Sequence, residues 1–362
     1  MLSLKPDYEQ SKRRIDAFWE RELLDRPVVQ FPLYKPVDEW IELPVSGHHS
    51  VKDEWLDTDF QAEWNQVNLS NQLFLGDTMP VAWPNLGPDV FAAFYGCPLH
   101  FTEFGTSWSE PIILNIEEHE NIVFDWTNPY LAQLTKLTDA FLDTGKGRFI
   151  TGMSDWHTGG DCLAALRGPM GLATDLINNP ALVRNILHRV EKDYERLYGM
   201  FYDRLRRAGQ PISTWVPLVS DKKYYMVSND FSIMISAPMY RDIFLESVIH
   251  ECQFLDRSLY HLDGPGALRH LDAILEITEL DGVQFVPTPG DDSFIRWAGI
   301  YKRIQNADKC VQVNCMLSEI EDVIRTLKPE GLYLFVQDIT SEDIAQELIH
   351  KLEGWCLRGH TS

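Results

Sequence analysis

From about residue 149 onward, short runs rich in Val, Ile, Phe and Tyr alternate with amphipathic stretches of helical period. No other feature of the chain restricts its fold as strongly. An apolar run of four to eight residues bounded by turn signals suits a strand buried on both faces, and strands separated by helices pair in parallel. The candidate strands are 27–33, 148–155, 211–220, 231–236, 258–263, 282–287, 309–315 and 331–338. Eight parallel strands close a barrel, so the expected class is α/β, a (β/α)8 TIM barrel. The chain has 362 residues, 44% of them hydrophobic, enough for one such core, and a single domain over 1–362 is expected.

Helices between the runs are marked by periodicity and caps. Asn179-Pro180 opens 181–207, where Leu182, Ile186, Leu187, Val190, Tyr194 and Leu197 recur at helical spacing. Ser341-Glu342-Asp343 supplies cap chemistry and early negative charge to a helix running through Leu348 to Trp355. Residues 36–147 fit the repeat less well: they hold aromatic-rich stretches such as Trp83-Pro84 and a hairpin expected over 99–114. No Gly/Ser/Pro-rich linker bounds this region, so it reads as an elaborated insertion at the barrel mouth rather than a second domain.

Net charge narrows the partners. With 54 acidic against 32 basic residues the chain carries −22, which disfavours nucleic acid and anionic membrane surfaces, since both are met with clustered Lys and Arg. No apolar run reaches the length of a membrane span, and MLSLKPDYEQSKRR leads into a charged helix without a signal-type apolar stretch, so a cytoplasmic protein is expected. The six cysteines form no CxxC pair or disulfide framework, and free thiols are expected.

Two polar pairs fall at the carboxyl ends of candidate strands, where barrel enzymes place their chemistry. His261 and Asp263 are two apart on a strand, leave it on one face, and precede Gly264-Pro265-Gly266. Asp155 and His157 repeat the spacing before Gly159-Gly160. A carboxylate beside an imidazole fixes its tautomer and supports proton transfer, although a strand-end turn uses the same residue types. His48, His49, Trp55 and Trp108 either line a pocket mouth or pack the inserted region. The spacing of a dinucleotide fingerprint, a Walker loop or a GxSxG elbow is absent.

The order of several segments resembles the uroporphyrinogen decarboxylase and corrinoid methyltransferase superfamily. They are RIDAFWERELLDR at 14–26, GDTMP at 76–80 leading to NLGP at 85–88, DCLAALRG at 161–168, DFSIMISAP at 230–238 followed by Tyr240, YHLDG at 260–264, and GVQFVP at 282–287. The resemblance implies a uroporphyrinogen decarboxylase-like barrel, with Asp77 at the position of the family's catalytic aspartate. It further implies a C1 methyltransferase working with a corrinoid carried by a partner protein, or with a folate. The alternative is a decarboxylase or lyase of a small carboxylated substrate, a uroporphyrinogen decarboxylase-type activity included. Two family features are altered. The arginine-bearing substrate clamp is replaced by QFPLYKP at 30–36, and the His-x-Cys zinc pair reads His261-Leu262-Asp263, with Val336-Gln337-Asp338 where a distal Cys is expected. The expected catalytic residues are therefore His261, Asp263, Asp77 and His157, and the expected substrate contacts are Asp155, Trp83, Ser220 and Gln337. A zinc or other divalent ion is expected on His261, Asp263 and Asp338.

Overall fold

The computed structural model describes residues 2–103, 105–118, 122–288, 290 and 293–359. Its strands are β1 (Val28–Gln30), β2 (Val81–Ala82), β3 (Leu99–Phe101), β4 (Ser107–Ser109), β5 (Ile150–Thr151), β6 (Tyr224–Ser228), β7 (Arg257–Asp263), β8 (Gly282–Val286), β9 (Cys310–Cys315) and β10 (Leu332–Val336). Among the described residues, six strands form one parallel sheet in the order β1-β10-β9-β8-β7-β6, while β2 and β5 form a separate parallel pair. The protein is thus a mixed α/β chain whose main sheet is compatible with an α/β barrel. β3 and β4 make the expected hairpin, His100 facing Trp108 across it.

The sheet is buried on both faces, as a parallel sheet covered by crossover helices is, with apolar side chains toward the helices and several polar ones on the other face. β6 and β10 are almost wholly buried, and β7 is buried from Ser258 to Tyr260 and at Leu262. The long helix Pro180–Arg207 buries the stripe Val183, Ile186, Leu187, Val190, Tyr194, Leu197 and Tyr198, the face that its periodicity announces. Tyr260 turns toward the helical layer, where its hydroxyl lies 3.2 Å from that of Tyr240. Residues 259 and 261 therefore face the other way, on the side of the sheet opposite that helical layer.

Two strand assignments differ from the sequence reading. Residues 231–236 do not form a strand: Asp230–Met234 is a 3-10 turn, and Ser236 caps the helix that follows by accepting the Met239 N–H. The cause is Asp161, whose carboxylate accepts the backbone N–H groups of both Asp230 and Phe231 and bends the chain there. Ile233 and Met234 are left half-exposed, and the strand itself lies earlier, at Tyr224–Ser228. Residues 211–220 also fold back on themselves, Ile212 bridging Ser220 in antiparallel sense around Pro217, which has no N–H to give a ladder. Within the region 36–147, β2 pairs with β5, so this region supplies a strand as well as the packed helices Thr58–Ser70 and Pro129–Gly145. All six cysteines are free and buried, and no helix among the described residues is long and apolar enough to cross a membrane.

Asp77 is completely buried, and its carboxylate joins Arg14, Arg26 and the backbone N–H of Val29. Arg14 continues to Asp25 through two hydrogen bonds of 2.6 and 2.7 Å. This knot ties the first helix, Tyr8–Trp19, to β1 and to the segment entering β2. Removing the central anion leaves the buried Arg26 guanidinium without a carboxylate and takes from Arg14 one of its two. Asp77→Asn is expected to cost about 3–5 kcal/mol of unfolding free energy, read from urea denaturation; a loss under about 1 kcal/mol would show that Asp77 does not hold the knot together.

Candidate functional site

His261 sits in register with Ser228 on β6 and Gln284 on β8, so three neighbouring strands present polar side chains at one level. His261 Nδ1 lies 2.6 Å from Gln284 Oε1. An amide oxygen only accepts, so Nδ1 carries the proton and Nε2 is the atom left for a substrate or a proton. The Trp215 ring meets the imidazole edge to face at 5.1 Å and 88°. Together with Trp83, Asp155, His157 and Ser228 these rings line a cavity of about 270 Å³. The next strands continue the polar belt inside the sheet. Gln312 Nε2 donates to Asn314, and Tyr333 donates to Gln30 at 2.8 Å, while Gln312 Oε1 has no partner.

His157 forms the wall between this cavity and a second one of about 340 Å³, which adds Asp89, Asp161, Asp230 and the apolar rim Phe231, Ile233 and Met234. Gly159-Gly160 makes the junction. Gly159 has φ +52°, and Gly160 packs against Asn229 so closely that a Cβ would stand 2.7 Å from its side-chain oxygen. The helix Gly159–Arg167 can therefore start directly under His157, which places Asp161 in its first turn. Asp161 accepts from the Ser228 hydroxyl at 3.2 Å and from two backbone N–H groups. Asp230, immediately beyond the β6 strand end, keeps one buried oxygen without a partner and brings the other to 4.0 Å from His157 Nε2.

The charges are strongly coupled. Burial raises the Asp230 carboxyl, Asp161 raises it further, and the two imidazoles pull it down, leaving it at about 6. Burial also raises Asp155 against the opposing pull of His157 and His261. Burial alone lowers a histidine, yet His157 is raised, because Asp155, Asp161, Asp230 and Asp89 surround it and outweigh desolvation. The site has a standing demand for positive charge.

Among the described residues, the group that brings three potential ligand atoms within 4.8 Å of one another is His157, Asp161 and Asp230. The set expected from the sequence, His261, Asp263 and Asp338, is not gathered in this way. Asp263 is exposed at the end of β7, and Asp338 accepts the Leu317 N–H at 2.7 Å, capping the turn after β9. Of the other expected site residues, His157, His261, Asp155 and Trp83 share one cavity. Asp77 lies in the buried ionic knot, with its carboxylate taken up by Arg14, Arg26 and Val29. Ser220 is buried, and its hydroxyl accepts the Lys222 N–H. Gln337, half-buried, donates its backbone N–H to Cys315. Asp161, Asp230, Trp215 and Gln284 were not singled out from the sequence. Asp230 had a usable signal, a carboxylate immediately after a buried strand, hidden by placing that strand seven residues too late.

Behind His157, the Thr158 hydroxyl donates to the buried Glu251 carboxyl. Burial drives Glu251 up to about 8, the Thr158 hydrogen bond opposes the shift, and Glu191 and Asp161 add to it. The folded chain holds this proton where an unfolded Glu has already lost it near the ordinary value of 4.5. Stability therefore falls as pH rises through the window from about 4.5 to about 8, because the folded state binds more protons there. Unfolding midpoints measured across this window are expected to decline in the wild type and to flatten in Glu251→Gln; an equally steep decline in the variant would assign the slope to other groups.

No protein-family model matches this chain, and no curated protein matches it.

Proposed function

We propose that the chain is a closed (β/α)8 barrel of uroporphyrinogen decarboxylase type, acting as a methyltransferase of one-carbon metabolism with a corrinoid protein or a folate as partner. Closure is supported by the strand order. The parallel strands number eight among the described residues (β1, β2, β5 to β10), the first lies beside the last, and all follow in chain order. Between β1 and β2 the Asp77 N–H donates to Val29 O at 2.8 Å. Between β5 and β6 the Met153 N–H donates to Ser213 O, and Tyr225 donates to Ser154 O.

Charge favours methyl transfer over decarboxylation, and it is the observation that carries this reading. The described residues lining the two cavities include Asp89, Asp155, Asp161 and Asp230 but no Lys or Arg. A substrate whose carboxylate must sit at the reacting centre would enter against four carboxylates with only His157 and His261 as counter-charge, whereas a methyl group carried on cobalt or on a neutral or cationic nitrogen meets no such penalty, provided that the carboxylates of a folate tail stay outside the two cavities.

The donor set also fits a divalent cation. One imidazole and two carboxylates converge, and the orphaned Asp230 oxygen has no other partner. With oxygen ligands dominant and no thiolate, this centre suits a harder ion than the thiolate-bound zinc of the resembling methyltransferases. Bound there, such an ion would polarise a substrate oxygen as a Lewis acid. The chain's own contribution is clearer at His261. Its Nδ1 proton is held by Gln284, its Nε2 faces the cavity, and Asp155 and His157 share the wall, so Nε2 can take or return a proton as the leaving group forms. Trp83 and Trp215 supply apolar walls that limit water at that atom.

The test is methyl transfer between methylcobalamin and tetrahydrofolate, followed by the cobalamin absorbance change, alongside uroporphyrinogen decarboxylation. Methyl transfer is expected and coproporphyrinogen formation is not; the reverse pattern would overturn the reading. His261→Ala is expected to reduce turnover by about 10²- to 10⁴-fold with an unchanged unfolding midpoint. Asp230→Asn is expected to weaken binding of Zn²⁺ or Mn²⁺, measured by calorimetry, by at least about tenfold.

A further inference from the structure

Beyond the His157 and His261 cavities the structure has a larger one, about 640 Å³, between the region 51–65, the loop carrying Asn85, the hairpin and the helix Pro129–Gly145. Five aromatic side chains line it: Trp55, Phe60, Trp64, Trp83 and Phe141. Its charged lining residues are Glu54 and Glu103, and no Lys, Arg or His is among the described residues that line it, His48 packing against the Phe60 ring from outside at 5.1 Å. The neighbouring Lys52 ammonium lies over the Tyr130 ring, 5.7 Å from its centre, and Tyr130 is not part of this lining. Three amides also line the cavity, and each already donates to a backbone carbonyl: Gln61 to Glu54, Asn65 to Gln61, and Asn85 to Gly105. What remains for a ligand is mainly aromatic rings, two carboxylates and the amide oxygens of Gln61 and Asn65, beside the indole N–H groups and one further N–H on each amide, with no full positive charge in the lining.

We propose that this cavity is a binding site for an organic cation bearing a methylated ammonium group. An aromatic face attracts a cation through its quadrupole, and the attraction is largest where water is excluded. A bare ammonium is strongly hydrated and forfeits that hydration on entering an aromatic-walled space. A methylated head spreads its charge over apolar carbon, fits between ring faces, and keeps the Coulomb attraction of Glu54 and Glu103 without needing a hydrogen bond to either. An anion is repelled by the two carboxylates, and a neutral ligand gains only burial.

Trp83 gives the cavity its second property. It lines this space and also the cavity that holds His157 and His261. A ligand held by its cationic end among Trp55, Trp64 and Phe60 therefore lies against a ring whose other side walls the polar centre. The size lies in the range of small-molecule sites and is larger than an ammonium head alone requires. Occupancy of the cage does not rest on the reaction assigned to the His157 centre, so binding is measured with no metal, corrinoid or folate present.

The probe is choline chloride, titrated into the full chain by calorimetry and by tryptophan fluorescence, against its uncharged isostere 3,3-dimethyl-1-butanol and against sodium acetate. Choline is expected to bind one site at least about tenfold more tightly than the isostere, and acetate is expected not to compete. Trp64→Leu and Glu54→Gln should each weaken choline several-fold, while Trp64→Phe, which keeps a ring at the position, should retain most of the affinity. Equal affinity for choline and the isostere would overturn the proposal by showing an apolar pocket that ignores charge. Preference for acetate, or no saturable choline binding by a wild-type chain with a normal melting transition, would overturn it as well.

Discussion

The pairing of β1 with β10 is the contact on which the rest of the molecule depends. Val28, Val29 and Gln30 lie beside Tyr333, Leu334 and Phe335, joining the first strand of the chain to the last across some three hundred residues. Parallel strands cannot be closed by tight hairpins, so each pair is reached through a crossover, and this one through the whole chain. Its loop-closure cost is offset by packing and by polar anchors. Tyr333 donates to Gln30, the Cys310 thiol donates to Phe18 O, and the indole of Trp19 donates to Val219 O. The Asp77 knot fixes the first helix in the place where β1 can be met. A carboxylate at that position is therefore used for assembly, although the resemblance marks it for chemistry.

Register along the sheet also determines where polarity is concentrated. Apolar side chains cover the helical side, but the opposite face carries Ser228, His261 and Gln284 on three neighbouring strands, Gln312 and Asn314 on β9, and Gln30 on β1. Burying so many polar groups costs free energy unless they pair with one another, and most do. The exceptions are informative. The free oxygens of Gln312 and Asp230 lie within this belt and at its rim, where a ligand or an ion can complete them. The strain of the site is electrostatic more than conformational: Asp155, Asp161 and Asp230 face two imidazoles, His157 and His261, which cannot neutralise all of them.

The same sign of charge extends from the whole chain to its cavities. A net charge of −22 surrounds cavities whose charged lining is acidic apart from histidine, so the molecule selects against anions at long range and again at contact. Trp83 lines both the aromatic cavity and the cavity that holds His157 and His261, and so forms a wall common to the two. The region 36–147, which departs from the strand–helix repeat, builds the aromatic cavity and contributes β2, which pairs with β5.

Local pattern was enough to identify most strands, the long helix Pro180–Arg207 and the hairpin, because each depends on residues close in sequence: period, caps, glycines and alternation. The run 231–236 was misread because its apolar composition suits a strand, while the deciding hydrogen bonds come from Asp161, about seventy residues away. The grouping of His157 with Asp161 and Asp230, the withdrawal of Asp77 into the arginine knot, and the use of Asp338 as a turn cap were likewise beyond the reach of pattern. Composition and periodicity determine which residue types lie on which face of an element. Which carboxylate meets an imidazole, which meets a guanidinium and which meets a backbone N–H depends on distances between strands and helices that only the folded chain brings together.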